Sequence, residues 1–459
     1  MSAKIAPRTL VPLKNHKQRD DTKAESLVIE DCKIWTGQTF QEGSILIEGG
    51  KISRLARRIK RKTDQRIEAK GLLAFPGMID VHVHLRDMDL GYKEDFTTGT
   101  SAAAAGGFTT VLDMPNTQPP TDSPDRLLEK MERARSRILV NVGFHAAAIT
   151  DETAIAKMAS AGAFSLKLYM PNPVSPLSVE SDLVLSRLMR TAASQGLPLT
   201  VHAEDGSAIL RASKAKIRSF EGLAETRPPI VETRAVARIL RLGREAHCAI
   251  HFAHLTLASS LVMISKFQAR NVSSEVTPHH LLLSRVTLAR KKWKAWMVPP
   301  LRSEAARENL LTATTRGLAS LIASDHAPHT IQEKSKKPWQ SPPGIPGLET
   351  TLSLLLTMAN RGQLALSTII RLLSTNPARI FRLTSKGRLE RRYDGDVVLI
   401  DLKKRSRIDP DAFHSKAKFT PFEGMNTQGK VQATIVGGTV VYHDDCILAR
   451  PGVGHVEKR

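Results

Sequence analysis

Cysteine is nearly absent from this chain. Three residues, Cys32, Cys248 and Cys446, are spread over 459 positions. They are too few and too far apart for a disulfide framework or a Cys-x-x-Cys metal site, which favours a reducing compartment and makes the cytoplasm the expected location. Long apolar runs are missing too. The roughly 18 consecutive apolar residues of a membrane span occur nowhere, so no membrane association is expected. The N-terminus has no apolar core of a secretory signal. Met1 to Lys23 is basic and polar, Asp20 and Asp21 interrupt any transit-peptide pattern, and residues 1–25 read as a poorly ordered basic extension. Aromatic residues are scarce, with 13 Phe, 4 Tyr and 4 Trp. A stacking surface for single-stranded nucleic acid is therefore poorly supported.

Positive charge is abundant instead. Lys and Arg total 67 against 45 Asp and Glu, a net charge of +22, which draws anions in general without choosing among them. The basic residues gather in segments such as Arg57-Arg58-Ile59-Lys60-Arg61-Lys62 and Lys403-Lys404-Arg405 with little aromatic interleaving. Solvated basic faces explain them better than a specific nucleic-acid partner does.

The order of apolar runs gives an architecture. Short β-rich segments (27–35, 44–55 and 66–74) return near the other end as 396–402 and 431–442, so residues 26–75 plus 390–459 are expected to form one small β-sandwich domain. Between them, in 76–389, strand-like runs alternate with helical stretches: 78–85, 109–114, 139–145, 163–169, 197–203, 248–255, 271–277 and 321–325. Eight such runs point to an α/β fold, a (β/α)8 TIM-type barrel, whose active site is built at the C-terminal ends of its strands.

Those ends carry His82 and His84, Asn116, His145, Lys167, His202, His254, Glu275 with His279 and His280, and Asp325 with His326 and His329. In Ile79-Asp80-Val81-His82-Val83-His84 the strand period of two puts both imidazoles on one face. A lone pair of this kind is commonly structural. Metal-binding side chains recurring at one end of most strands mark a site. Four histidines and an aspartate suit Zn2+, two or three for each of two ions, with positions left for water. Lys167 is the misfit, since an ammonium beside two cations is repelled. Burial and neighbouring cations favour its neutral amine, which can capture CO2 as a carboxylate-like carbamate. A lysine that pairs or snorkels to the surface is the alternative.

The motifs Gly77-Met78-Ile79-Asp80-Val81-His82-Val83-His84-Leu85-Arg86, Lys93-Glu94-Asp95-Phe96, Met114-Pro115-Asn116-Thr117, Val201-His202-Ala203-Glu204, Ala323-Ser324-Asp325-His326-Ala327-Pro328-His329 and Pro343-Gly344-Ile345-Pro346-Gly347 together resemble the dihydroorotases of the amidohydrolase superfamily. Phe164-Ser165-Leu166-Lys167-Leu168-Tyr169 resembles their carboxylated-lysine branch. The resemblance implies two Zn2+ per subunit. His82, His84, carboxylated Lys167 and Asp325 would hold one, and Lys167, His202 and His254 the other. It implies Asp325 as the catalytic proton shuttle and Arg86, Asn116 and His329 as residues binding the substrate carboxylate. The implied reaction is the reversible cyclisation of N-carbamoyl-L-aspartate to L-dihydroorotate. A homodimer and an association with aspartate carbamoyltransferase are both compatible with it.

Three departures stand out. Asp87-Met88-Asp89-Leu90-Gly91 replaces the usual Glu-Pro-Gly after Arg86, so that loop is expected to take its own path. Val298 stands where many relatives have Asn, with Arg302 either compensating or simply exposed at a helix start. Pro171-Asn172-Pro173-Val174-Ser175-Pro176 fits a lid or a stiff connector equally. Two other functions stay open. An allantoinase or dihydropyrimidinase would share the metals without needing the carboxylate-binding set, and an inactive scaffold for aspartate carbamoyltransferase would be expected to have lost ligands.

Overall fold

The computed structural model describes residues 26–171, 179–213 and 218–459. The basic extension and all of the Pro171–Pro176 segment beyond Pro171 lie outside the described residues. The chain opens with five short strands, β1 (Ser26–Trp35), β2 (Phe40–Glu48), β3 (Lys51–Ala56), β4 (Gln65–Glu68) and β5 (Leu73–Pro76). Nine strands follow, β6 (Met78–Val83), β7 (Phe108–Asp113), β8 (Asn141–Phe144), β9 (Ala146–Ala147), β10 (Leu166–Tyr169), β11 (Leu199–His202), β12 (Ile250–Phe252), β13 (Val272–Val276) and β14 (Leu321–Ile322). Four more close the chain, β15 (Val397–Arg407), β16 (Asn426–Val436), β17 (Thr439–His443) and β18 (Cys446–Ile447).

The middle group is the barrel. β6, β7 and β8 pair in parallel, as do β9 to β14 in sequence. β8 passes into β9 through His145, and the ring closes where the His84 N–H donates to the His326 carbonyl at 2.8 Å beside a Val83–His326 bridge. Each of the eight expected runs overlaps one of these strands. Every residue of β6, β7 and β8 is buried, as parallel strands between a filled interior and a helical shell require. The crossover helices begin where the sequence supplies a side-chain oxygen for a free N–H. Asp95, Ser123, Asp151, Ser181, Asp205 and Ser303 each accept from the helix they precede.

The terminal strands form one hydrogen-bonded sheet in the order β18-β17-β16-β15-β5-β1-β2-β3, with β4 also on β1. The sheet is strongly rolled, because a side chain at Gly395 or Gly438 would run into Ile47, from a strand far along the order. The apolar faces of its two ends share a core of Ile29, Ile45 and Ile47 with Val397, Ala433 and Ile435. β5 runs straight into β6 through Gly77, where a Cβ would fall 2.0 Å from Thr109 Oγ1. The chain end then returns to the barrel, with the Gly452 N–H donating to the Ile138 carbonyl and Val456 bridging to Val142 of β8.

Candidate active site

At the C-terminal mouth of the barrel the donor atoms of six side chains face one another. Asp325 Oδ1 lies 3.2 Å from His84 Nε2 and 3.4 Å from His82 Nε2. Lys167 Nζ is 3.5 Å from the same His82 nitrogen, and His202 Nδ1 is 3.0 Å from His254 Nε2. Ligand atoms of His82, His254 and Asp325 all fall within 4.8 Å of one another. The strands set this up: Lys167 and Tyr169 pair with Thr200 and His202 across β10 and β11, while His84 and Asp325 flank the seam that closes the ring.

The far nitrogens are held by acceptors. His82 Nδ1 donates to Glu275, His84 Nδ1 to Asn116 Oδ1 at 2.6 Å and His202 Nε2 to Glu204 Oε2 at 2.7 Å. His254 Nδ1 is buried without a partner among the described residues. A hydrogen bond at one ring nitrogen fixes the tautomer that presents a lone pair at the other. Burial drives the His84 imidazole down to about 3, and it lowers His202 and His254 as well. All three therefore stay neutral at pH 7, as metal ligands must.

Lys167 is 1% exposed, forms no ion pair among the described residues, and is brought down to about 8 by burial. Burial pushes the Asp325 carboxyl up, but His82 and His84 outweigh it and hold it well below the usual carboxylate range. Neutral nitrogens, one carboxylate and a readily deprotonated amine converging in a dry space form a donor set that fits metal ions.

His82, His84, His202, His254 and Asp325 open onto a cavity of about 200 Å³, lined also by Arg86, Asn116, Tyr169, Arg227, Val298 and Gly344. Arg86 is 7% exposed and meets no carboxylate among the described residues, its Nε donating to the Pro328 carbonyl. Asn116 lines the cavity while its oxygen accepts from His84, which leaves its amide N–H groups outside that bond. His329 does not line this cavity. It stands behind Arg86, with Nε2 3.3 Å from the guanidinium.

Other residues singled out in the sequence fall elsewhere. His145 bonds Ser165 and the Val81 carbonyl inside the barrel, and His280 bonds Thr277 and the Pro299 carbonyl. Arg302 is 4% exposed rather than solvent-facing, and it is spent on Thr256 Oγ1 and the Arg227 carbonyl, so it makes no compensating contact for Val298. The loop after Arg86 does follow its own path. Arg86, Asp87 and Met88 have φ of 58°, 47° and 49°, a costly run for non-glycine residues. Asp87 holds it in place, buried and paired with Arg133 and Arg137 while accepting from the Phe96 N–H.

Sequence reasoning gave no role to Glu204, Tyr169 or Arg227, although Glu204 stands only two residues past His202 in a recognised motif. Glu275 was singled out at its strand end. It accepts from His82, His251 and the His254 N–H.

A model of the amidohydrolase family matches residues 73–441. The chain is 39% identical over 430 residues to the dihydroorotase of Methanothermobacter thermautotrophicus, covering 93% of this chain and 96% of that one. It is 37% identical over 429 residues to the dihydroorotase of Pyrococcus abyssi, covering 93% and 97%. Among solved structures, the L-hydantoinase of Arthrobacter aurescens superposes with a TM-score of 0.90 at 29% identity over 94% of this chain and 99% of that one.

Proposed function

We propose, from the premise that this chain belongs to the amidohydrolase family and within it to the dihydroorotases, that it interconverts N-carbamoyl-L-aspartate and L-dihydroorotate. One observation carries the choice of substrate. The buried guanidinium of Arg86, free of any carboxylate among the described residues, lines the same cavity as the histidine set. A dihydroorotate carboxylate answers that unmatched charge by a charge-assisted contact; a neutral hydantoin or dihydrouracil ring leaves it unanswered.

In this reading His82, His84 and Asp325 would hold one Zn2+ and His202 and His254 the other, with Lys167 as a ligand they would share. The neutral Lys167 amine adds CO2, forming an N–C bond and releasing one proton, and so becomes an anionic ligand. Two dications exceed the charge of the carbamate and Asp325, which leaves a positive site suited to an anionic substrate. When bound, the metals would supply a strongly acidified water and polarise the amide carbonyl. Asp325 Oδ1 takes the proton in the hydrolytic direction and returns it to the departing ring nitrogen. Arg86 and the Asn116 amide orient the carboxylate, with His329 standing behind Arg86.

The fold likeness to a hydantoinase supports a second reading, hydrolysis of an uncharged cyclic ureide. Turnover of dihydroorotate, hydantoin, dihydrouracil and allantoin on metal-loaded protein, beside an elemental metal count, decides between them. Dihydroorotate preferred by at least a hundredfold and about two zinc ions per chain is the expected result. Preference for an uncharged ring refutes the assignment.

A further inference from the structure

We infer that Lys93 is a positioning residue, which fixes His329 in a single tautomer and thereby leaves the Arg86 guanidinium open to an anion. This rests on the carboxylate-binding reading above and adds to it a residue that never reaches the cavity.

The argument starts from a local sequence signal. Thr330-Ile331-Gln332-Glu333 is a capping box, in which Thr330 Oγ1 accepts from the Glu333 N–H and Glu333 Oε2 accepts from the Thr330 N–H, both at 3.2 Å. That reciprocal pair leaves Glu333 Oε1 aimed at two donors, Lys93 Nζ at 3.0 Å and the Tyr92 hydroxyl at 2.9 Å. Lys93, so anchored, brings its ammonium to 3.3 Å from His329 Nδ1. An ammonium only donates. His329 Nδ1 must therefore offer its lone pair, and the ring proton sits on Nε2, where it donates to the Pro343 carbonyl at 3.0 Å.

The other protonation states fit worse. With the proton on Nδ1, an N–H would face the Lys93 ammonium, and the nearest carboxylate oxygen, Glu333 Oε2, is 3.9 Å away, beyond a hydrogen bond. The Nε2 lone pair would then face the Pro343 oxygen and could accept from Arg86 alone. The doubly protonated ring is opposed by burial and by Arg86, Lys93 and Lys334, the cations around it, with Glu333 the only facing carboxylate among the described residues. Two bonds satisfied, against one, select the Nε2–H form.

The consequence falls on Arg86. A protonated Nε2 cannot accept from the guanidinium nitrogen 3.3 Å away, so Arg86 keeps one protein acceptor, the Pro328 carbonyl, for its Nε. Its terminal N–H groups have no acceptor among the described residues. They lie at the cavity wall with Asn116, a fork without its anion. In the opposite tautomer His329 would accept from Arg86 and compete with the ligand. Lys93 thus governs anion affinity from two residues away.

The test reads the tautomer directly. Histidine-selective 15N labelling with two-bond 15N–1H correlation, assigned by the signal lost in His329→Asn, is expected to find Nε2 protonated and Nδ1 bare at neutral pH. Lys93→Met is expected to shift that signal toward the Nδ1–H form and to raise KM for dihydroorotate about tenfold with a smaller change in kcat. Lys93→Arg, which keeps a donor there, is expected to hold the tautomer and most of the affinity. An Nδ1–H or imidazolium His329 in the wild type overturns the inference, as does a wild-type KM in folded Lys93→Met. Should Lys93→Met fail to fold, the wild-type and Lys93→Arg spectra still decide. A wild type that ignores dihydroorotate would sink the proposed function and leave the tautomer readable.

Discussion

Two lysines are buried to nearly the same depth in opposite settings. Lys167 at the barrel mouth looks onto imidazoles and forms no ion pair among the described residues. Lys386, where the rolled sheet meets the barrel, sits among Asp394 at 2.9 Å, Asp396 at 2.8 Å and Glu457 at 3.1 Å. Burial lowers both. At Lys167 burial outweighs the pull of Glu275 and Asp325 and the amine falls to about 8, whereas at Lys386 burial is overcome by Asp396, Glu457 and Asp394, and the ammonium is held above its usual value. Burial by itself does not decide the charge of a lysine; the presence of acceptors does. One region keeps its cation to bind the chain together. The other is arranged to lose its proton, and that frees it for chemistry.

The strongest way to break the comparison is Lys167→Ala. If the amine carries the bridging anion, the variant loses bound metal and turnover together, with kcat/KM falling on the order of a thousandfold or more, while the circular dichroism spectrum stays native. Elemental analysis after dialysis checks it. A variant that retains two tightly held ions removes Lys167 from the centre.

Lys386→Met is expected to do the reverse. It strands Asp396 and Glu457 at the junction, Asp394 keeping Lys51, and costs about 3–5 kcal/mol of stability, the usual penalty for removing one partner of a buried ionic cluster, while metal content and turnover per folded molecule persist. Urea unfolding beside an assay measures both. The pH signature has a definite sign. A lysine whose folded pKa is raised contributes stability that is fully present below the unfolded value of about 10.4 and is lost as pH climbs past it. Asp394 is lowered, with burial overcome by Lys386, so its contribution is present above about 3.9 and fades as pH falls below that. Between those limits the wild type minus Lys386→Met difference should stay flat.

The two regions also differ in how far the sequence disclosed them. The barrel and the mouth were legible because apolar runs alternating with helical stretches and a His-x-His pair are local signals, and because eight strand ends lead to one place once the fold is known. His82, His84, Lys167, His202, His254 and Asp325 came together from positions spanning most of the chain. The junction was not legible. Glu457 reaches Lys386 only because the chain end leaves the small sheet and runs beside β8, and no local pattern announces that. His329 behind Arg86, and Arg302 turned inward to Thr256, were equally hidden, since each depends on the direction of a side chain. The capping box at Thr330 could have been read from its spacing. Its reach to Lys93 could not.

A third buried lysine sharpens the comparison with the smallest effect. Lys334 Nζ donates to the Trp296 carbonyl at 2.8 Å and the Pro342 carbonyl at 3.0 Å, and lies 5.8 Å from the centre of the Phe419 ring, with no carboxylate in ion-pairing reach among the described residues. It has hydrogen bonds, as Lys386 does, but no opposite charge, as at Lys167. Burial accordingly drives its ammonium well below the usual value. The sign is then opposite to that of Lys386. Toward pH 10 the unfolded chain still binds this proton while the folded one has released it, so stability attributable to Lys334 rises with pH up to about 10.4 and then levels. Lys334→Met deletes two hydrogen bonds but also a buried cation, effects that largely offset, and at pH 7 it should cost no more than about 1–2 kcal/mol. The wild type minus Lys334→Met difference should grow between pH 7 and 10, where the Lys386→Met difference stays constant. Paired urea titrations at the two pH values measure both, and parallel behaviour of the two variants would show that carbonyl acceptors serve a buried lysine as well as carboxylates do.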